Sequence, residues 1–184
     1  SLIAVHQLKT KPGSTIIYNL ISSKAVSEVI AENGGIGVRS RVGHSYIKSL
    51  MAESGAIFGG EHSGHFYFSN FWRADSGMLA ALYALTELMA TKNTLSELLK
   101  PFNRYVASGE INSKVKNAEK SIELIRKKYC DKYLVDDLDG LTITADNWWF
   151  NLRPSNTEPL LRLNVEADTE KEMVKIRDTV LSLI

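Results

Sequence analysis

The sequence predicts an α/β three-layer domain built on a parallel sheet, followed by a smaller α+β domain with a mainly antiparallel sheet. Three observations carry this. Strand-like and helix-like periods alternate between Thr15 and Phe58, the rhythm changes after Pro101, and apolar runs separated by turn residues crowd between Leu141 and Val165.

The first domain is taken as residues 1–101. Its apolar run over residues 16–21 reads as a strand and residues 24–33 as a helix. A second strand over 36–42, a second helix over 45–54 and a third strand over 56–58 complete a βαβαβ pattern. Gly34 and Gly35, and later Gly55, stand where a helix ends in a left-handed cap. Short links of this kind favour parallel strands covered by helices. Asp75 then precedes a strongly apolar helix over residues 76–90, and Thr94 with Glu97 forms a capping box for a shorter one. At the other end, Leu2, Ile3, Val5 and Leu8 have the spacing of the tail of an amphipathic helix. With Ser1 where an initiating Met would stand, the expectation is a piece of a longer protein.

In the second domain, residues 102–184, Gly109 to Asn112 leads into a long helix whose Val115, Ala118, Ile122 and Ile125 share one face, the other being Lys-rich. Residues 141–144, 148–152 and 160–165 read as strands, with Asp139, Gly140, Asp146 and Asn147 supplying turns. Thr169 with Glu172 caps a last helix striped by Met173, Ile176, Val180 and Leu183.

A chain of 184 residues, 44% hydrophobic, buries a real core. Its 22 Lys and Arg against 21 Asp and Glu leave a net charge of +1, so no global field draws nucleic acid or an anionic membrane, and any anion must be bound locally. The basic helix between Lys114 and Lys128 is interrupted by Glu119 and Glu123 and reads as a solvated face. No apolar stretch approaches the roughly 20 residues of a membrane span, and the N-terminus lacks a signal peptide's basic start and cleavage site. Cys130, the single cysteine, can form no internal disulfide and has no metal-ligand spacing, which fits a reducing, cytoplasmic setting.

Two segments carry chemistry. Residues 59–65, Gly-Gly-Glu-His-Ser-Gly-His, follow a strand in an α/β pattern, and ligands of such sheets bind beyond the strands' carboxyl ends. Glu61 and Ser63, at alternate positions of an extended backbone, suit the vicinal hydroxyls of a sugar, which both donate and accept. Histidine as a residue type can take or give a proton at such a hydroxyl, and His65 or His44 could serve. The same glycines also suit a plain turn. Glu61, His62 and His65 are zinc-type donors as well, though a loop does not align them as a helix would. The second segment, residues 153–159, holds Arg153, Ser155, Asn156 and Thr157 between two strands. A guanidinium fork, hydroxyls and amides suit a phosphate dianion, and the same Pro, Ser and Asn are ordinary turn formers.

Together with Arg41 to Ser45, Ile47 and Lys48, residues 58–65, Ala74 to Gly77, Ser108 to Glu110 and Arg153 to Pro159, the whole chain resembles the C-terminal half of the α-D-phosphohexomutases, nearest the bacterial phosphomannomutase/phosphoglucomutase group. The resemblance implies that the first domain is the family's third, reading the sugar, and the second its fourth, binding phosphate. Glu61, Ser63 and Lys48 would bind substrate, and His65 and His44 would lie at the transferring group. Arg153, Ser155, Asn156 and Thr157 would hold the phosphate that is not transferred. It further implies a hexose phosphate, mannose or glucose 1- or 6-phosphate, as ligand, with hexose 1,6-bisphosphate as activator or intermediate. The phosphoserine loop and the Asp-rich Mg2+ loop would belong to preceding domains of the same protein, since no Ser-His-Asn-Pro or Asp-Gly-Asp-Gly-Asp run occurs here. By itself the chain is then expected to be inactive. At Ile21 the family pattern often has a basic residue, for which Lys24 and Lys48 are the candidate substitutes. The alternatives are a non-catalytic sugar-phosphate-binding module and a zinc hydrolase using His62 and His65.

Overall fold

Strand β1 (Thr15–Asn19) carries two adjacent isoleucines, and because neighbouring side chains of a strand point to opposite faces, they divide the core of their unit in two. Ile16 joins one buried cluster and Ile17 another. The computed structural model describes residues 1–155 and 158–184. It comprises two compact units, Ser1–Arg104 and Tyr105–Ile184.

In the first unit, α1 (Leu2–Thr10), β1, α2 (Lys24–Glu32), β2 (Ile36–Ser40), α3 (His44–Ser54) and β3 (Phe58–Gly60) alternate. They are followed by β4 (Phe66–Phe68), β5 (Ala74–Asp75), α4 (Gly77–Met89) and α5 (Leu95–Leu99). The sheet runs β2-β1-β3-β4-β5, parallel across β2, β1 and β3 and antiparallel from β3 to β5. On one face Ile16, Phe58 and Phe68 meet Ile3 and Leu8 of α1, Ile30 of α2 and Ala80 of α4. On the other, Ile17 and Tyr67 meet Ile47 and Met51 of α3. The result is the expected three-layer α/β arrangement. The sheet is mixed, however, since β4 and β5 add antiparallel pairs, and strands this short show no period in sequence.

Caps behave as their residue types dictate. Ser23, Ser76 and Thr94 each accept a backbone N–H at a helix start, Thr94 and Glu97 forming the reciprocal box. Helix α3 ends at Gly55, whose φ of 68° lies in the left-handed region. The join expected after Pro101 falls after Arg104, because the Arg104 guanidinium is held by Glu28 and Glu32 of α2.

The second unit contains β6 (Val106–Lys114), α6 (Ala118–Tyr129), β7 (Leu134–Asp136), β8 (Leu141–Thr144), β9 (Trp148–Pro154), β10 (Leu160–Ala167) and α7 (Glu170–Leu181). Its sheet, ordered β6-β10-β9-β8-β7, is antiparallel throughout. Trp148, Phe150 and Leu152 of β9 and Leu161, Leu163 and Val165 of β10 face Ile125 of α6 and Met173, Ile176 and Val180 of α7. The expected α+β class holds, with one correction. Residues 109–112 do not lead into a helix but lie in β6, which pairs with β10 along its length, so Val115 falls before α6, whose start is capped by Asn117.

Gly140 opens β8 at a φ of 72°, and a Cβ there would sit 2.5 Å from the Leu152 carbonyl oxygen and 2.8 Å from Arg153 Cα. Only glycine allows this approach. Gly140→Ala is therefore expected to destabilise the second unit by about 2 kcal/mol or more, from left-handed strain plus overlap with backbone. Urea unfolding followed by tryptophan fluorescence checks this, and an unchanged midpoint would contradict it.

Candidate functional site

In the first unit the chemistry collects where β2 and β3 end. Glu61 directly follows β3, and His44 is the first residue of α3, which begins four residues after β2. Glu61 is buried, its side chain only 3% exposed, so its carboxylate needs partners. Tyr67, on β4 and itself 1% exposed, donates its hydroxyl to Glu61 Oε1 at 2.6 Å. His44 Nδ1 lies 2.5 Å from the same Tyr67 oxygen and 3.8 Å from Glu61 Oε1. Ser63 Oγ lies 3.4 Å from Glu61 Oε2. The segment is a tight hairpin rather than an extended loop. Glu61 N–H donates to the His65 carbonyl, Gly64 N–H donates to that of Glu61, and Gly64 has a φ of 85°. The turn arises because β4 folds back antiparallel onto β3. Asn19, fully buried at the end of β1, anchors the hairpin by accepting the His62 backbone N–H at 3.3 Å.

His65 closes the cluster. Its Nδ1 lies 2.6 Å from Asp75 Oδ2, and its ring meets the His44 ring edge-on at 4.6 Å between centroids. Asp75 also accepts the Phe66 backbone N–H at 2.9 Å. The hydrogen bond to Asp75 raises the His65 pKa above the usual imidazole range, although desolvation opposes it. Burial works to raise the Asp75 carboxyl, but the bonds from His65 and Phe66 outweigh it and hold the carboxyl below its usual range. Lys48 is exposed on α3, four residues after His44 and so on the same side of that helix. Ile21 is buried in the first unit, and Lys24 opens α2, 3.9 Å from Glu28. Among the described residues, no three His, Cys, Asp or Glu side chains form a group that could hold a metal ion.

In the second unit, the face of the sheet opposite the apolar core is polar. Arg153 on β9 and Arg162 on β10 are directly opposed, which alone would be repulsive. Glu110 of β6 resolves it, accepting from Arg153 Nη2 and from Arg162 Nη1, each at 3.0 Å. Arg162 also donates to Ser155 Oγ at 3.2 Å. Two guanidinium groups against one carboxylate leave a formal excess of one positive charge. The buried Nε atoms of both arginines have no hydrogen-bond partner among the described residues. Such a cluster can receive an anion. Asn156 and Thr157 lie outside the described residues.

The structure thus groups Glu61, Ser63, His44 and His65, and separately Arg153 with Ser155. Reading the sequence for chemistry passed over Tyr67, Asp75, Glu110, Arg162 and Asn19 as site members. Asp75 and Glu110 do stand inside the motif runs 74–77 and 108–110, a signal that was available. Tyr67 and Arg162 sit in alternating strands, where nothing distinguishes an inward tyrosine from core.

The His65–Asp75 pair should follow pH in a defined way. A raised imidazole contributes stability below the unfolded value of about 6.5 and loses it as pH rises through the folded value. A depressed carboxyl contributes above about 3.9 and loses it as pH falls through its folded value. An NMR titration is expected to place the His65 midpoint above about 6.5, and Asp75→Asn to lower it. An unchanged midpoint in the variant would remove Asp75 as the cause.

Comparison with known proteins places the whole chain in a family. The family model described as phosphoglucomutase/phosphomannomutase, alpha/beta/alpha domain III, matches residues 1–105, and that of the phosphoglucomutase/phosphomannomutase C-terminal domain matches residues 110–183. A phosphomannomutase of Methanocaldococcus jannaschii is 47% identical over 184 residues, and one of Escherichia coli is 40% identical over 187. Each alignment covers 100% of this chain but 41% of the relative, so the chain spans less than half the length of these proteins. The crystal structure of a phosphoglucomutase/phosphomannomutase family protein from Burkholderia thailandensis is similar with a TM-score of 0.85 at 29% identity, covering 99% of this chain and 39% of that one. The N-acetylphosphoglucosamine mutase of Aspergillus fumigatus, solved with glucose 1,6-bisphosphate, has a TM-score of 0.67 at 12% identity over 99% of this chain and 41% of that one, a likeness of fold alone. The chain belongs to the phosphoglucomutase/phosphomannomutase family and carries that family's domain III and C-terminal domain.

Proposed function

We propose that this chain supplies the sugar-reading and phosphate-holding parts of a phosphohexomutase that interconverts hexose 6-phosphate and hexose 1-phosphate through a bisphosphorylated sugar. The observation that carries the reading is the gathering of Glu61, His44 and His65 at the carboxyl ends of parallel strands, in a chain of this family. Such edges are where α/β sheets bind ligands. In this reading Glu61 and Ser63 contact sugar hydroxyls, His44 and His65 exchange protons with the hydroxyl that gains or loses phosphate, and Lys48 adds positive charge beside them. Arg153, Ser155, Asn156 and Thr157 hold the phosphate that stays, and the second guanidinium, Arg162, belongs with them.

Fixing a substrate by a distant phosphate while its hydroxyls are read elsewhere lowers the barrier to phosphoryl transfer mainly by orientation. The transferable phosphate and the Mg2+ that would neutralise its charge are assigned to other parts of a longer protein, in the cytoplasm.

Calorimetry with mannose 6-phosphate at millimolar concentration tests the proposal. The chain is expected to give weak heat of binding, and Arg153→Ala, checked for folding by fluorescence, to lose it. No heat from either protein would remove the sugar-phosphate reading. A coupled isomerisation assay is expected to show no turnover by this chain alone, and turnover would overturn the division of labour.

A further inference from the structure

Tyr67 touches both a candidate sugar-reading carboxylate and a candidate proton-transfer imidazole, with oxygen distances of 2.6 Å to Glu61 and 2.5 Å to His44 Nδ1. A hydroxyl has a single hydrogen, and an ionised carboxylate can only accept. The Tyr67 hydrogen therefore points at Glu61, and the contact with His44 must be an N–H from Nδ1 donating to the phenolic oxygen. We infer that Tyr67 is a positioning residue which, through this Glu61–Tyr67–His44 chain, holds neutral His44 as the Nδ1–H tautomer and leaves Nε2 as its basic nitrogen. Which nitrogen of a histidine carries the proton is set by the hydrogen bond the other makes.

The neighbourhood supports a fixed direction. Burial, and then the bond to Glu61, push the Tyr67 phenol well above its usual pKa, so it keeps its hydrogen. The ring of Tyr67 packs with Ile47 and Met51, which holds the oxygen in place. Asp75 does for His65 what the phenol does for His44, since its carboxylate accepts from Nδ1. Two imidazoles in edge contact are thereby both locked at Nδ1, one by a charged acceptor and one by a neutral one. The consequence is chemical. A nitrogen that takes a proton from a sugar hydroxyl must offer a lone pair, whereas an unconstrained histidine side chain favours the Nε2–H tautomer. This rests on the reading of His44 as a substrate-facing group, but the tautomer itself does not depend on any ligand.

The experiment is a long-range 1H–15N correlation spectrum of the four imidazoles of the chain, recorded without ligand at a pH where they are neutral, with His44 assigned by the loss of its signals in His44→Gln. In the unmodified chain, His44 Nδ1 is expected to resonate as a protonated nitrogen and Nε2 as an unprotonated one. In Tyr67→Phe, which keeps the packed ring, the order is expected to invert. A His44 already in the Nε2–H form in the unmodified chain would overturn the inference and would also reveal the reversed chain, with Glu61 protonated. An unchanged tautomer in a folded Tyr67→Phe would overturn it too. If that variant does not fold, the spectrum of the unmodified chain decides alone. Failure to bind mannose 6-phosphate would remove the functional reading and leave this result standing.

Discussion

A carboxylate with almost no access to water has to be satisfied by neighbouring donors, and in the first unit Glu61 imposes that requirement on everything around it. The hairpin from β3 to β4 is what meets it. By folding back, β4 brings Tyr67 under the carboxylate, while the parallel strand β2 delivers the start of α3 and with it His44. Asn19, at the end of the neighbouring parallel strand, fastens the turn from below. Removing β4 would take away Tyr67, the short-range donor to this buried carboxylate.

The second unit meets the inverse demand. Arg153 is buried, and its cross-strand neighbour is another arginine, so the register of β9 against β10 is tolerable only because β6 brings Glu110 between them. The Gly109 that precedes Glu110 has a φ of 69°, and the pairing of β6 with β10 shifts register between Asn164 and Glu166. A local irregularity in an otherwise regular ladder thus accompanies the acid that neutralises the pair. In the second unit Glu110, Arg153 and Arg162 stand on strands, whereas in the first Glu61 and His65 stand in the short hairpin between β3 and β4, His44 opens α3 and Asp75 lies on β5.

What the two clusters share is a charged group whose orientation is set by something outside its own motif. In the first unit that something is a phenol and an aspartate, and in the second a glutamate and a second arginine. The motif residues are the visible part of each site. Their supports give them direction, and in His65 and Asp75 the support also moves both pKa values, in opposite senses.

Much was determined by the sequence alone. The adjacent isoleucines of β1, the caps at Thr94 and Thr169, and the apolar runs of β9 and β10 reflect local rules of two- and 3.6-residue periodicity, and they lead to the right fold class, whereas the cap of α4 falls on Ser76 rather than on the Asp75 expected before it. The motif runs picked out Glu61, Ser63, His44, His65 and Arg153 as candidates by their order and family resemblance, since their residue types alone suit plain turns as well. Tertiary structure decided the rest. Short strands such as β4 and β5 carry no period, and β6 was mistaken for the approach to a helix because its partner lies some fifty residues further along the chain. Tyr67 lies 23 residues from His44, and Glu110 lies 43 from Arg153 and 52 from Arg162. Contacts at such separations depend on which strands pair and in which register, and no local pattern of side chains encodes that.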